Sequence, residues 1–341
     1  MKKNLLLFIA LAAALTVLVH DSRAQERQKL AQTGMKFLSV VTDARVGALG
    51  NAVTALDNNS AAMFFNPAGM ARLNSLASVS LGTMNWIADI KYVYASAAFS
   101  PNDGAWGVFG VSVRSVDYGE FRSTIRDNNA SNELGYLENG TFSPTAMAIG
   151  LGYGKSLSDK FSIGGQVKYV TQDLGSAVVG YDESNNFVTR GYDANVLAFD
   201  FGILYRTGFK SLNFGMYVEN FSKEVTFEEE GLQLPLQFKI GVAMNLADIL
   251  PMNRDTHAFL LAVDAAHPRD YAEQLNIGGE YVLVNTFSLR GGYSFPNDEH
   301  GVSFGAGLKK SLKDYGLALD YAYTPFGLFD NVQRFSLHFS F

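Results

Sequence analysis

The side chains best able to do chemistry in this sequence are few and scattered. Its histidines stand at positions 20, 257, 267, 300 and 338, and no two of the last four have metal-ligand spacing such as HExxH. Cysteine is absent, which removes disulfides and thiolate ligands. The acidic run Phe227-Glu228-Glu229-Glu230 could hold a cation or a basic partner, but a solvated acidic loop is the better reading. Asp43 and Arg45 lie two residues apart among small residues, where buried charges need partners whatever the function. No acid, base and nucleophile gather as catalysis requires. The expectation is therefore a protein that binds or transports: no enzyme, no catalytic or metal-ligating residues, no cofactor.

Composition says what kind of elements would carry a site. Glycine is abundant at 33 residues, as are tyrosine and phenylalanine at 16 and 26, while only 18% of residues are charged. Soluble domains carry roughly a quarter. Mean hydropathy is close to zero at +0.04, so apolar residues are interleaved with polar ones and not massed into helical spans. That balance suits strands with one face in lipid and one in water. The net charge of −6 and the lack of a basic stripe speak against nucleic acid as a partner.

The chain opens on Lys2 and Lys3, continues with an apolar run over residues 5–19, and reaches small residues at Ser22 and Ala24. These are the three parts of a secretory signal, assigned here to residues 1–24. The run is shorter than the roughly 20 apolar residues of a spanning helix. Membrane residence would have to come from strands, because only helices and closed barrels satisfy their backbone in lipid.

From about residue 75 onward the sequence alternates with period two, in segments of roughly ten residues. The last is the clearest: Phe335, Leu337, Phe339 and Phe341 share one face, with Arg334, Ser336, His338 and Ser340 on the other. Segments centred near residues 80, 95, 110, 149, 166, 200, 216, 240, 261, 278, 289, 305, 319 and 337 make fourteen, an even number as such barrels require. Tyr92, Tyr94, Tyr153, Tyr169, Tyr205, Tyr281, Tyr293, Tyr321 and Tyr323 fall toward strand ends, where a membrane girdle would use them. Long connections are expected at residues 117–142 and 173–193, and a medium one at 221–233. Residues 246–256 are too long for the short-turn side, so they hold either a short helix or a miscounted strand. The expected fold is all-β: a 14-stranded antiparallel transmembrane β-barrel over residues 75–341, preceded by an N-terminal plug over 25–74. A β-sandwich alternates too, but rarely places so many aromatics at strand ends.

Residues 25–74 do not alternate. They hold Asp43, Arg45, Gly47 and Gly50, and then the box Asn66-Pro67-Ala68-Gly69. Gly47 and Gly50 read as sites of tight packing or unusual backbone angles, and Asn66-Pro67 as a turn. The run TGMKFLSVVTDARVGALG at residues 33–50, with that box, resembles the PorV/PorQ family of outer-membrane proteins, itself related to FadL-type barrels. The resemblance implies fourteen strands, an N-terminal plug, and location in the outer membrane of a Gram-negative bacterium. It implies a type IX secretion component that binds and shuttles secreted cargo proteins alongside other components of that system. A FadL-like transporter of hydrophobic small molecules is the alternative. The mostly polar long loops favour protein contact over lipid capture. The C-terminal aromatic pattern, Phe335, Leu337, Phe339 and Phe341, resembles the signal read by the barrel-assembly machinery. The remaining partner is outer-membrane lipid.

Overall fold

In an alternating strand every second side chain faces the same way, so a closed sheet sorts the sequence into an inside and an outside. The computed structural model describes residues 33–57, 59–127, 132–184, 186–227, 230–296, 301–313 and 315–341. The targeting segment assigned to residues 1–24, together with Glu228, Glu229 and His300, lies outside them.

Fourteen of the described strands close into one barrel: β1 (Ala77–Asn85), β2 (Lys91–Phe99), β3 (Val108–Asp117), β4 (Thr145–Ser156), β5 (Phe161–Tyr181), β6 (Phe187–Arg206), β7 (Asn213–Ser222), β8 (Gln237–Asn245), β9 (His257–Pro268), β10 (Gln274–Leu283), β11 (Phe287–Phe295), β12 (Val302–Leu312), β13 (Tyr315–Phe326) and β14 (Phe329–Ser340). Each pairs antiparallel with its sequence neighbours, and β14 returns to β1 with Ser340 opposite Ser78 and Gln333 opposite Asn85. Phe341 completes the seam by exchanging backbone hydrogen bonds with Ala77 at 2.9 and 3.0 Å. No edge is left open, which rules out the sandwich.

The outer surface carries the apolar rows read from the sequence. Ile149, Leu151 and Tyr153 on β4, Leu197, Phe199 and Phe201 on β6, and Phe335, Leu337, Phe339 and Phe341 at the C-terminus are all exposed. An exposed apolar belt of this extent is stable only against lipid. Tyr92 and Tyr94 depart from the expected girdle. On β2 it is Val93 and Phe99 that face outward, and both tyrosines are buried in the lumen, where the Tyr94 hydroxyl finds polar partners.

Both strand termini of the barrel lie at one end, where the connections are short, as on the periplasmic side of such barrels. Tight turns there use left-handed residues, Asn285 at φ 53° and Lys313 at φ 49°. The long connection at 246–256 proves to hold a single 3-10 turn, Leu246–Asp248, pinned by Arg254 donating to the carbonyls of Ala247 and Asp248. At the other end, the connections expected to be loops contain strands. Phe121–Arg126 pairs with Tyr136–Phe142, Val225–Phe227 pairs with Glu230–Leu232, and β5 and β6 run past the wall as a ribbon covering most of 173–193. Polar composition hid these hairpins, because a strand outside the lipid needs no continuous apolar row.

Residues 33–73 fold inside the barrel as short helical turns: Lys36–Ser39, the helix α1 (Ala44–Ala48), Ser60–Phe64 and Pro67–Arg72. Met35, Phe37 and Leu38 pack with Met84, Val116, Val170, Val196 and Leu234 into an apolar layer at the outer mouth. Deeper, Val46, Leu49, Val53 and Phe65 pack with Leu204, Ala243 and Ala262 of the wall. The wall meets this segment with glycine. A Cβ on Gly292 would strike the backbone of Leu49 and Gly50, and one on Gly202 would strike the Asn66 side chain.

Two outcomes follow. Removing residues 335–341 should abolish heat-modifiable migration and outer-membrane insertion, since β1 would then face an open edge; normal insertion of the truncated chain would refute the seam. Gly292→Val should cost about 1–3 kcal/mol through overpacking against backbone that cannot yield, read as a lower unfolding midpoint in urea.

Candidate functional site

The luminal segment holds few charges, and the wall answers each of them. Asp43 caps α1, its carboxylate accepting from the backbone of Val46 at 3.0 Å and from the Tyr94 hydroxyl at 2.7 Å. His338 sits 3.4 Å from both Asp43 and Asp320, and its other ring nitrogen lies 2.8 Å from the Ser80 hydroxyl. Arg290 joins Asp320 to Glu280 at 2.6 Å each, and Arg45 reaches Glu280 from the segment at 2.7 Å. The result is one chain of alternating basic and acidic side chains through the lumen: Arg45, Glu280, Arg290, Asp320, His338, Asp43. Asp43 and Arg45 thus stand at its two ends, and each takes a partner on the wall.

The other motif residues are also contacts between segment and wall. Gly47 leaves room for the Arg334 guanidinium, which crosses α1 to donate to the Val41 carbonyl at 2.8 Å. Gly50 has φ 59° and rests on the backbone of Gly292 and Tyr293, a position no side chain could share. Asn66 caps the turn that follows by accepting from Ala68, and donates to the carbonyls of Thr54 and of Ile203 on β6. Pro67 opens that turn, and Gly69 closes it by donating to the Asn66 carbonyl at 2.9 Å. Pro67 and Ala68 lie directly against Gly154 and Gly164. Asp264 of β9 accepts from the successive amides of Val53 and Thr54, both at 2.8 Å.

A second polar cluster surrounds a cavity of about 20 Å³ lined by Leu38, Phe64, Arg114, Gln166, Lys168 and Asp200, among others. That space is the size of a water molecule. Asp200 accepts from Lys168 at 2.8 Å, from the Tyr217 hydroxyl at 3.0 Å and from the Asn220 amide at 2.7 Å. Asn220, at φ 62°, belongs to a bulge where the β6–β7 register slips between Phe199 and Phe201. The carboxylate takes over the amide that the slipped ladder leaves unpaired.

Ser303 lies in a Gly-x-Ser-x-Gly pentad, residues 301–305, yet the pentad starts β12 and makes no strand-to-helix elbow. Its hydroxyl donates to the Ala48 carbonyl at 3.3 Å, another clamp on the luminal segment. Among the described residues no group of three or more potential ligands is placed to hold a metal.

Beyond the outer mouth, the β5–β6 ribbon carries the ring pair Tyr181 and Phe187 at 5.3 Å, and the Phe121–Phe142 pair lies across the base of the first hairpin at 5.7 Å. Gly175 of the ribbon, at φ 86°, packs against Phe142, so the two project side by side. At the ribbon tip, hydrogen bonds from the Asn186 backbone and side chain hold the Asp182 carboxyl below the usual range.

Glu280, Arg290, Asp320, Asp200 and Asp264 are absent from the sequence-based candidates. Glu280, Arg290, Asp320 and Asp264 are each the single Asp, Glu, Lys or Arg of their strand, and Asp200 is the single one between Val196 and Leu204, a pattern that could have singled them out.

Comparison with known proteins comes from two directions. Residues 121–340 match the family model described as type IX secretion system membrane protein PorP/SprF. The stretch at 33–73 that resembles PorV/PorQ lies upstream of the matched residues. No curated protein sequence matches the chain significantly. Among solved structures, the toluene transporter TbuX of Ralstonia pickettii is 12% identical, covering 88% of this chain and 98% of its own, with a TM-score of 0.56. The toluene transporter TodX of Pseudomonas putida is 14% identical, covering 92% and 98%, also at 0.56. A FadL homologue of Pseudomonas aeruginosa is 13% identical, covering 89% and 98%, at 0.53. Such identities establish a shared FadL-like barrel fold.

Because Arg290 and Glu280 are buried together, removing one partner strands the other. Glu280→Ala should cost about 3–5 kcal/mol, whereas replacing Arg45, Glu280 and Arg290 together by apolar residues of similar volume should cost far less. Urea unfolding of the two variants in lipid vesicles checks this, and equal losses would refute a coupled chain.

Proposed function

The chain belongs to the type IX secretion system PorP/SprF membrane protein family, and from that premise we propose that it serves secretion in the Gram-negative outer membrane by binding protein partners. The observation that carries this reading is the division of the molecule into a filled lumen and projecting ribbons. The lumen is occupied by residues 33–73, capped by the apolar layer around Phe37 and Leu38, and its polar cavity of about 20 Å³ admits nothing larger than water. What remains for recognition lies outside: two paired-strand ribbons with exposed aromatic residues and unpaired edges. Free strand edges accept extended protein segments by backbone hydrogen bonding. The likeness of residues 33–73 to PorV/PorQ makes secreted cargo the natural partner class, with other type IX components alongside. The chain would bind and pass on this cargo without chemistry of its own.

A second reading rests on the bulge at Asn220. A slipped register in the wall beside a cavity is where a side entrance could form, and structures of the same fold are described as toluene transporters. Against this, the side chains facing that cavity include Arg114, Lys168, Asp200 and Glu219, a costly surrounding for a hydrocarbon.

A strain in which residues 175–191 are replaced by a tight turn separates the two. Cargo protein at the cell surface should fall at least about tenfold, the effect of losing roughly 1.4 kcal/mol of binding. The barrel should stay heat-modifiable and uptake of toluene-like compounds should not change. Lost hydrocarbon uptake with normal surface cargo would overturn the proposal in favour of the transporter.

A further inference from the structure

The periplasmic rim is chemically uneven, and its unevenness falls on one arc. At the inner ends of β3 to β7 three lysines fall on neighbouring strand ends and connections, none in an ion pair among the described residues. Lys155 ends the lipid-facing row of β4 that runs through Ile149, Leu151 and Tyr153. Lys160 lies in the next connection and crosses toward its neighbour: its Nζ is 3.0 Å from where a Cβ on Gly208 would sit. Lys210 follows in that neighbouring connection at φ 54°. The two connections are tied together, since the Arg206 amide donates to the Lys160 carbonyl at 2.8 Å. Among the described residues, none of the three lysines makes an ion pair. Of the acids on these connections, Asp57 holds Arg206 at 2.5 Å, and Asp248 accepts from the Ser211 amide and pairs with Arg254; Asp159, whose carbonyl accepts from Arg72, and Asp103 are exposed and offset part of the positive charge.

Large apolar side chains surround these charges. Trp106 is 66% exposed, Phe209 59% and Leu157 57%, each at the tip of a connection where water alone would be a poor neighbour. Trp106 is held in place from the lipid-facing row, its carbonyl accepting from the Tyr153 hydroxyl at 2.9 Å, while the Tyr153 ring packs on Phe109 at 5.2 Å. Indole and phenol at the level of the glycerol backbone, with lysine stems reaching past them to the headgroups, is the arrangement that satisfies both halves of an amphipathic lipid.

We propose that this arc is a binding site for anionic glycerophospholipid in the inner leaflet of the outer membrane, with Lys155, Lys160 and Lys210 receiving the headgroup phosphate and Trp106, Tyr153 and Phe209 lining its acyl-glycerol region. Charge complementarity selects the lipid class. A zwitterionic headgroup brings its own cation and gains little from three lysines, whereas phosphatidylglycerol brings net negative charge. The site would anchor the barrel at a fixed depth and rotation on the side where the connections are shortest.

The chain has two tryptophans, Trp86 at the outer mouth and Trp106 at this site, so Trp86→Phe leaves a single reporter in place. The full mature chain carrying that change is reconstituted in phosphatidylethanolamine vesicles containing graded brominated phosphatidylglycerol or brominated phosphatidylcholine. Half-maximal quenching of Trp106 should occur at about fivefold or lower mole fraction for phosphatidylglycerol, the scale of attraction of one or more lysines to an anionic surface. Adding Lys155→Gln, Lys160→Gln and Lys210→Gln should bring the two lipids level, while Lys223→Gln on the outer side should leave the preference intact. Raising the salt to about 1 M should weaken the preference in the unmutated site, which keeps the test valid should the triple variant fail to fold. Equal quenching by the two lipids, or a preference that survives loss of all three lysines in a heat-modifiable barrel, would overturn the assignment.

Discussion

Everything in this structure depends on the contact between the glycine-lined inner wall and the segment folded against it. A fourteen-stranded barrel encloses more space than its own inward side chains fill. Here residues 33–73 occupy that space at backbone distance, with Gly50 on Gly292, Pro67 on Gly154 and Gly164, and Thr54 on Gly215. Contact that close leaves the amides and carbonyls of the segment cut off from water, so each must find a partner in the lumen. Asp264 serves two successive amides of the segment and Arg334 the Val41 carbonyl, while Asn66 ties the Thr54 carbonyl within the segment and reaches out to the Ile203 carbonyl of the wall. The inward polar residues of the strands are thus the hydrogen-bonding complement of a buried, irregular chain.

The same constraint accounts for the alternating charges. Arg45 and Asp43 enter the lumen on one short helix, and a low-dielectric interior penalises each unless countercharge lies within reach. Glu280 answers Arg45, and His338 and Tyr94 face Asp43. Arg290 and Asp320 then join the two ends, so the segment is registered against β10 to β14 by groups whose separate removal would leave a stranded charge. This is a device for one defined position of the segment.

Much of the fold was legible in the sequence. The strand centres, the even count and the closing strand from Phe335 to Phe341 all follow from period-two alternation, because a lipid-facing row must be apolar at every second residue whatever lies within. The hairpins outside the membrane were not legible: residues 121–126 and 136–142 are largely exposed, and the pairing of Val225–Phe227 with Glu230–Leu232 buries Val225 and part of Phe227, too short a row to mark a strand. Tyr92 and Tyr94 misled for a related reason. A tyrosine near a strand end serves an interfacial girdle or a polar lumen equally well, and only the facing of β2 distinguishes the two.

The sequence by itself determined the barrel, its membrane face and the small-residue character of the segment before it, since these depend on local periodicity and composition. Only the tertiary structure decided which charges meet. Asp43 and His338 are nearly three hundred residues apart, as are Val41 and Arg334, and nothing local distinguishes a lone inward aspartate from any other. Ring closure brings the last strand beside the first and sets both around the luminal segment, and the partners are fixed by that geometry alone.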